Sequence, residues 1–79
     1  MRLDKYLKVS RLIKRRTIAN EACDAGRALV NDKVARASYD VKVGDILTIQ
    51  FGAREFKAEV LAVQETVAKN DATLLYKIL

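Results

Sequence analysis

RLDKYLKVSRLIKRRT, residues 2–17, is the stretch that decides the fold, because an apolar helical stripe and a row of cations share it. Apolar or small residues recur at spacings of three and four, the period of one helix face. They are Leu3, Tyr6, Leu7, Ser10 and Ile13. The spacing predicts a first helix from residue 2 to about residue 13. Burying this stripe turns a basic face outward, formed by Arg2, Lys5, Lys8, Arg11 and Arg15.

A second helix is predicted to begin directly after this stretch. Thr17 is a good N-cap residue, since its hydroxyl can accept a hydrogen bond from an amide two or three residues further on. Gly26 suits the left-handed position that ends many helices. Between them lies a face of small apolar side chains, formed by Ile18, Ala19, Ala22, Cys23 and Ala25. Two short helices are therefore expected to meet at an arginine-rich corner, Arg15-Arg16-Thr17.

After the second helix the apolar period falls from about 3.6 to about 2 residues, which indicates β-strands. Residues 28–30 and 34–36 flank an Asn-Asp-Lys turn, and Asn and Asp tolerate the positive φ of a tight hairpin. Three further strands are predicted at residues 46–51, 55–63 and 74–79. A polar stretch at 64–73 precedes the last of them. This order predicts one α+β domain over residues 1–79, with two N-terminal helices packed on a small antiparallel sheet of four to five strands.

Composition limits the classes of function. The 79 residues are 51% apolar and 32% charged, which suits one small folded domain. A single cysteine, Cys23, and the lack of histidine exclude an internal disulfide and a zinc site of several ligands. The sequence has no signal-peptide pattern and no apolar run near the ~20 residues of a membrane span. We therefore expect a cytoplasmic protein with no cofactor, no membrane contact and no small-molecule substrate.

The positive charge is concentrated in the first half of the chain. Residues 1–36 hold ten Lys and Arg against four Asp and Glu, a balance of +6, whereas residues 37–79 have a balance of −1. A compact positive surface gains affinity for a polyanion by displacing counterions from its phosphates. The distribution therefore favours a polyanion site in the first half, with a basic face that serves only solubility as the alternative.

Four ordered segments carry a resemblance to a known family. They are Arg2-Leu3-Asp4-Lys5-Tyr6-Leu7, Arg16-Thr17 followed by Ala19, Gly26-Arg27-Ala28-Leu29-Val30-Asn31, and Val43-Gly44-Asp45. Together they resemble the RNA-binding module, or αL motif, first defined in the fourth protein of the small ribosomal subunit. The resemblance implies a core motif at residues 1–50, an αα corner on a bent sheet, with C-terminal strands in 51–79. Asp32 departs from the usual Asn-Gly turn, and Val43 from a frequent proline.

The likeness to one branch of that family spans nearly the whole chain. The module usually accompanies a catalytic domain, whereas this chain is expected to be free-standing. Residues 1–17 look very like the RqcP family of Gram-positive bacteria, which is related to the fifteen-kilodalton ribosome-associated heat-shock protein. The resemblance implies ribosome-associated quality control: binding of large-subunit rRNA and peptidyl-tRNA on stalled ribosomes, beside RqcH, during alanine tailing. A general rRNA-binding role of the heat-shock type is the alternative.

RNA contacts are predicted along the basic face and its corner. A guanidinium can take two phosphate oxygens at once or stack on a splayed base, so arginines are the main candidates. The first-turn amides near Thr17 are expected to receive a phosphate. Tyr39, in the polar connection at 38–40, is a candidate for stacking on a base. The predicted RNA-binding residues are Arg2, Lys5, Lys8, Arg11, Lys14, Arg15, Arg16, Thr17, Arg27 and Lys33.

Other candidate reactive side chains are interpreted structurally. Asp4 in a first turn suits the helix dipole and is expected to pair with Arg16 or Lys8. Cys23 is expected to be a packed thiol. The sequence has no histidine, paired carboxylates or glycine-rich phosphate loop to support an enzyme. A small DNA-binding module is the competing class, but the second helix offers mostly Ala, Ile and Cys where base-reading side chains belong.

Overall fold

Two short helices pack against each other and against one sheet. The computed structural model describes residues 1–65 and 69–79, and only the backbone at 69, 70 and 73. Its elements are α1 (Leu3–Val9), α2 (Arg16–Asp24), β1 (Ala28–Val30), β2 (Lys33–Val34), β3 (Ile46–Phe51), β4 (Arg54–Val60), a 3-10 helix (Lys69–Leu75) and β5 (Tyr76–Ile78). The strands form an antiparallel sheet in the order β2-β1-β3-β4-β5. The predicted α+β fold is confirmed, with five strands.

The core lies between α1 and the inner face of the sheet. Its fully buried side chains include Leu3, Tyr6, Leu7, Leu47 and Ile49. The Tyr6 hydroxyl also donates a hydrogen bond to the Leu75 carbonyl oxygen, 2.7 Å away. Burial raises the pKa of Tyr6, so the hydroxyl stays a neutral donor. The apolar stripe read from the sequence is therefore core, and it ties the first helix to the last turn of the chain.

Helix α1 is shorter than predicted. It ends at Val9, so the predicted end near residue 13 is wrong, because Arg11 takes a left-handed φ of 63°. The buried Ser10 hydroxyl donates to the Leu7 carbonyl at 3.3 Å within this turn. The Ile13 amide then donates to the same carbonyl at 3.0 Å, and Ile13 remains buried. A helix followed by a turn thus satisfies the apolar spacing that one longer helix was expected to satisfy.

Helix α2 begins at Arg16, and the prediction that Thr17 is its N-cap is wrong. The Arg15 carbonyl already accepts the first helical hydrogen bond, from the Ala19 amide at 3.0 Å. Arg15 itself is the cap, with an extended backbone and no capping bond from its side chain. Ile18 was assigned to the buried face but is 44% exposed. The rest of that face is buried as predicted at Ala19, Ala22 and Cys23, whereas Ala25 is exposed.

The predicted hairpin is confirmed, with a small shift in its second strand. Asn31 and Asp32 form a two-residue turn with φ values of 52° and 69°. Asp32 therefore adopts the left-handed conformation for which this turn type usually uses glycine. Strand β2 is Lys33–Val34 rather than 34–36, because the Ala35 amide makes the last cross-strand bond, to the Ala28 carbonyl.

The later strands match the prediction in order, and two of the three are shorter than predicted. Strand β3 has the predicted bounds, whereas β4 ends at Val60 rather than residue 63, and β5 covers only Tyr76–Ile78. The predicted polar connection at 64–73 contains part of the 3-10 helix. Residues 66–68 of this connection lie outside the described residues. Within the described ranges, no helix has the length and apolar character needed to cross a membrane.

Candidate nucleic-acid interface

A buried carboxylate joins the two helices at the basic corner. Asp4 is 2% exposed and accepts a hydrogen bond from the Lys5 amide at 2.8 Å. Arg2 donates to both its oxygens, from Nε at 3.2 Å and from Nη2 at 3.4 Å. From α2, Asn20 donates at 3.2 Å, and Nε of Arg16 lies 3.5 Å away. The carboxylate therefore orients two guanidinium groups that come from different elements.

The charges at this corner are arranged so that both arginines remain available. Burial alone would raise the pKa of Asp4, but the bonds from Asn20, Arg2 and the Lys5 amide, with the Arg16 charge, lower it overall. The side chains of Arg2 and Arg16 are still 52% and 47% exposed. Each guanidinium thus has an inner edge facing Asp4 and an outer part open to a ligand. The expected ion pair of Asp4 falls to Arg16 and not to Lys8.

A basic groove runs beside α1 and the turn that follows it. It has a volume of about 580 Å³ and is lined by Lys5, Lys8, Val9, Arg11, Lys14, Arg16 and Glu65. We call it the helix groove. Five of the ten predicted contacts meet there, and Arg11 reaches it because its left-handed backbone redirects the chain after α1. Phosphates fit such a groove, since a cluster of cations gains affinity by releasing counterions.

Glu65 was not expected in this groove. It forms an ion pair with Lys5 across sixty positions of the chain, and this bond lowers the pKa of Glu65. Because the Glu65 side chain is 71% exposed, water screens the pair and a phosphate can compete for Lys5. No local sequence pattern predicts this contact, because Glu65 lies in a polar stretch after β4, far along the chain from Lys5.

Of the other predicted contacts, Arg27 and Lys33 line hollows that share no residue with the helix groove. Thr17 lines a small adjoining hollow with Arg16 and Asn20, and Arg15 is exposed just before α2. Arg27 lies past the far end of α2, in a hollow that also includes Phe51. Lys33 lies on the hairpin. The expectation that first-turn amides near Thr17 take a phosphate stays a prediction.

The hairpin borders a second groove, of about 500 Å³. It is lined by Val30, Asn31, Lys33, Val34, Ala35, Arg36, Ser38 and Tyr39, and we call it the hairpin groove. The buried Asp45 accepts hydrogen bonds from two of the lining residues, the Tyr39 hydroxyl at 2.9 Å and the Asn31 amide group at 3.2 Å, and from the Lys42 amide at 3.0 Å. Arg36 lines this groove but was not among the predicted contacts, because its position was assigned to a strand.

Cys23 has no place at either groove. The thiol is 3% exposed in the core, and burial raises its pKa to about 11, helped by the charges of Asp4 and Asp24. A thiol with so high a pKa stays protonated near neutral pH and is a poor nucleophile. The interpretation of Cys23 as a packed thiol is confirmed.

Comparison with known proteins adds independent information. Residues 1–47 match the model of the S4 domain. Two proteins named RQC P-site tRNA stabilizing factor are similar over nearly all of both chains. That of Halalkalibacterium halodurans is 55% identical, over 99% of this chain and 89% of its own, and that of Bacillus subtilis is 52% identical, over 100% and 92%. The structure of Vibrio cholerae heat shock protein 15 superposes with a TM-score of 0.91 at 26% identity, over 100% of this chain and 81% of that one.

Proposed function

The chain belongs to the S4-domain family and to its branch of RQC P-site tRNA stabilizing factors, and from that premise we propose that it binds RNA in ribosome-associated quality control. Its ligands are large-subunit rRNA and the peptidyl-tRNA of a stalled ribosome. The observation that carries the proposal is the buried Asp4, which holds the guanidinium groups of Arg2 and Arg16 in place, and Arg16 also lines the helix groove.

The geometry of this corner suits a folded RNA backbone. A-form RNA is recognised mainly through phosphates, 2′-hydroxyls and exposed bases, because its major groove is too narrow for side chains. Guanidiniums that are already oriented lose less conformational freedom on binding than free side chains do. Arg2 and Arg16 are oriented by one carboxylate, and the cations of the helix groove extend the positive surface beside them.

The proposed role is to hold RNA rather than to catalyse a reaction. The two candidate reactive groups are engaged in structure: Asp4 is a buried ion-pair acceptor, and Cys23 is a protonated core thiol. We propose that the protein keeps peptidyl-tRNA in position while alanines are added to the stalled chain with RqcH. The names of the 55% and 52% identical relatives specify the P-site tRNA and so support the tRNA part of this proposal.

Sucrose-gradient fractionation of cell lysates tests the ribosomal assignment. The protein is expected to comigrate with large subunits that carry peptidyl-tRNA, and a substitution Arg16→Ala should release it into the soluble fraction. Lys77→Ala is the control, since Lys77 is exposed on β5, an edge strand of the sheet. Finding the parent only in the soluble fraction, or only on small subunits, contradicts the proposal.

A second candidate function is general rRNA binding without a part in alanine tailing. The close superposition on heat shock protein 15 favours it. A reporter mRNA without a stop codon separates the two functions in a strain that lacks the gene. Under the first proposal the alanine tails disappear and return with the parent gene, but not with Arg16→Ala. Under the second proposal the tails persist in the deletion strain.

A further inference from the structure

The hairpin groove carries positive charge of its own, away from the corner. Lys33 and Arg36 are both exposed along its lining, and none of the described residues that line it is acidic. The remaining lining is partly apolar, with Val34 65% exposed to solvent. Exposed apolar surface beside two cations is a combination that suits the flat face of a nucleobase together with its phosphates.

Tyr39 lines this groove with an aromatic ring that is partly buried against the core and fixed in position. The hydroxyl of Tyr39 donates to Asp45, which is only 8% exposed. The same carboxylate is bound by the Lys42 amide and by Asn31, so it cannot swing out with the tyrosine. The Tyr39 amide also donates to the Arg36 carbonyl at 3.0 Å. The ring is therefore held at both ends, and a base that stacks on it does not have to order it first.

We propose that the hairpin groove takes one unpaired RNA base, stacked on Tyr39, with Arg36 and Lys33 at the neighbouring phosphates. Stacking on aromatic rings is how proteins commonly hold single-stranded nucleotides, and arginine adds charge beside the ring. The inference rests on the proposed function and deepens it. The helix groove holds duplex backbone, whereas the hairpin groove holds a nucleotide of a loop or bulge next to that duplex.

An RNA stem–loop with 2-aminopurine in its loop tests the proposal, since stacking on a ring quenches the fluorescence of this base. A blunt duplex with the same stem serves as the second ligand. The parent protein is expected to quench the fluorescence, and Tyr39→Leu to abolish the quenching. Tyr39→Leu should also weaken stem–loop binding roughly 5- to 150-fold, the usual range for loss of one base–aromatic stack. Its affinity for the blunt duplex should match that of the parent.

Two further variants separate stacking from folding. Tyr39→Phe loses the same hydroxyl bond to Asp45 as Tyr39→Leu but keeps the ring, so it should still quench. Arg36→Ala leaves the side-chain bonds of Asp45 intact. It should weaken binding of the stem–loop but not binding of the blunt duplex. Lys57→Ala, on strand β4, is the charge control for Arg36→Ala and should change neither ligand.

The outcomes distinguish this inference from the proposed function. If Tyr39→Leu and Arg36→Ala bind and quench like the parent while the duplex still binds, the hairpin-groove proposal is overturned and the helix groove stands. If the parent binds neither RNA, both proposals fail. Loss of binding to an acidic peptide in Arg36→Ala, at unchanged RNA affinity, would assign the groove to a protein partner and would also overturn the proposal.

Discussion

The helix groove and the hairpin groove are each organised by one buried aspartate, but the two aspartates have different partners. Asp4 is bound by two guanidinium groups, which stay about half exposed, whereas the side-chain and backbone donors to Asp45 are neutral. The arrangement around Asp4 holds two positively charged side chains at the surface in a fixed geometry. The arrangement around Asp45 fixes a ring and a turn without fixing a charge. Under the two proposals, a buried aspartate therefore positions arginines for phosphates at one surface and a tyrosine ring for a base at the other.

This difference makes the two grooves separable by experiment. Phosphate contacts release counterions, so affinity that comes from the helix groove depends on salt concentration. Stacking on a ring involves no net charge, so the ring of the hairpin groove should contribute affinity that depends little on salt. Substitution of Tyr39 is therefore expected to differ in kind from substitution of the helix-groove cations, whereas Arg36 and Lys33 should resemble those cations in their dependence on salt.

The largest expected effect is that of salt on the parent protein. With four to seven Lys and Arg side chains bound to phosphates, the logarithm of the affinity for a stem–loop RNA should fall linearly with the logarithm of the salt concentration, with a slope between about −3 and −6. From about 50 to about 200 mM salt, this is a loss of roughly 60- to 4,000-fold. Arg16→Ala should reduce the slope magnitude by about 1, whereas Tyr39→Leu should leave it unchanged. Fluorescence anisotropy measures both, and a slope near zero in the parent would refute the electrostatic account.

The next effect concerns geometry at the corner. Arg16→Ala should weaken binding of the duplex RNA roughly 10- to 100-fold, the range for a lost charge-assisted hydrogen bond. Lys77→Ala should leave it unchanged. Arg16→Lys keeps the charge but loses the planar fork, so its affinity should lie between those of the parent and Arg16→Ala.

Stability is measured in parallel by urea denaturation. Lys77→Ala should change the free energy of unfolding by less than about 0.5 kcal/mol, as exposed substitutions usually do. Arg16→Ala should cost no more than about 1 kcal/mol, because Asp4 keeps Arg2, Asn20 and the Lys5 amide.

If Arg16→Lys binds RNA like the parent, the corner supplies charge alone. If Lys77→Ala loses as much affinity as Arg16→Ala, the site lies elsewhere.

The parts of the fold that the sequence predicts are those set by local physics. The helical period of residues 3–13 identified the buried stripe, because burial acts on side chains wherever the backbone places them. The pair Asn31-Asp32 identified the hairpin, because few residue types tolerate two positive φ values in succession. Strand β3 was found with its full bounds, but only Leu47 and Ile49 follow the predicted alternation, because Phe51 is 40% exposed and Thr48 is buried.

The parts that the sequence missed depend on contacts between distant residues. Helix α1 ends early because Ile13 reaches the core through a turn, and the left-handed φ of Arg11 follows from that requirement. Glu65 enters the helix groove from the other half of the chain. Arg27 and Lys33 carry the right charge, but α2 and the hairpin place them apart from the helix groove. The charge pattern alone therefore identified the cations that line the helix groove, but it could not tell that Arg27 and Lys33 lie outside that groove.

Isosteric substitution of the two aspartates compares the two supports directly. Asp4→Asn and Asp45→Asn should each lower the free energy of unfolding by about 1–3 kcal/mol, because each replaces a buried carboxylate that accepts several hydrogen bonds with an amide that has only one accepting oxygen. Only Asp4→Asn should weaken binding of the blunt duplex, by no more than about tenfold, since it releases Arg2 and Arg16 without removing them. Calorimetry and anisotropy on the same samples measure the two effects. Equal losses of duplex affinity in both variants would mean that folding, and not the position of the guanidiniums, explains the change.

The smallest expected effect is the dependence of stability on pH, and it tests why Asp4 can orient two arginines at all. Since the pKa of Asp4 is lowered in the folded protein, its ionised form stabilises the fold. This contribution is complete above the unfolded-state pKa, at about pH 4, and is lost as the pH falls through the lower folded-state pKa.

Urea denaturation of the parent and of Asp4→Asn between about pH 7 and about pH 2 isolates this contribution, because the other carboxylates titrate in both proteins. The difference in unfolding free energy should be constant down to about pH 5 and should shrink below about pH 4. A difference that instead grows on acidification would mean that burial dominates and that the folded protein raises the pKa of Asp4. In that case Arg2 and Arg16 would face a carboxyl group that resists ionisation, and the corner could not hold them by charge.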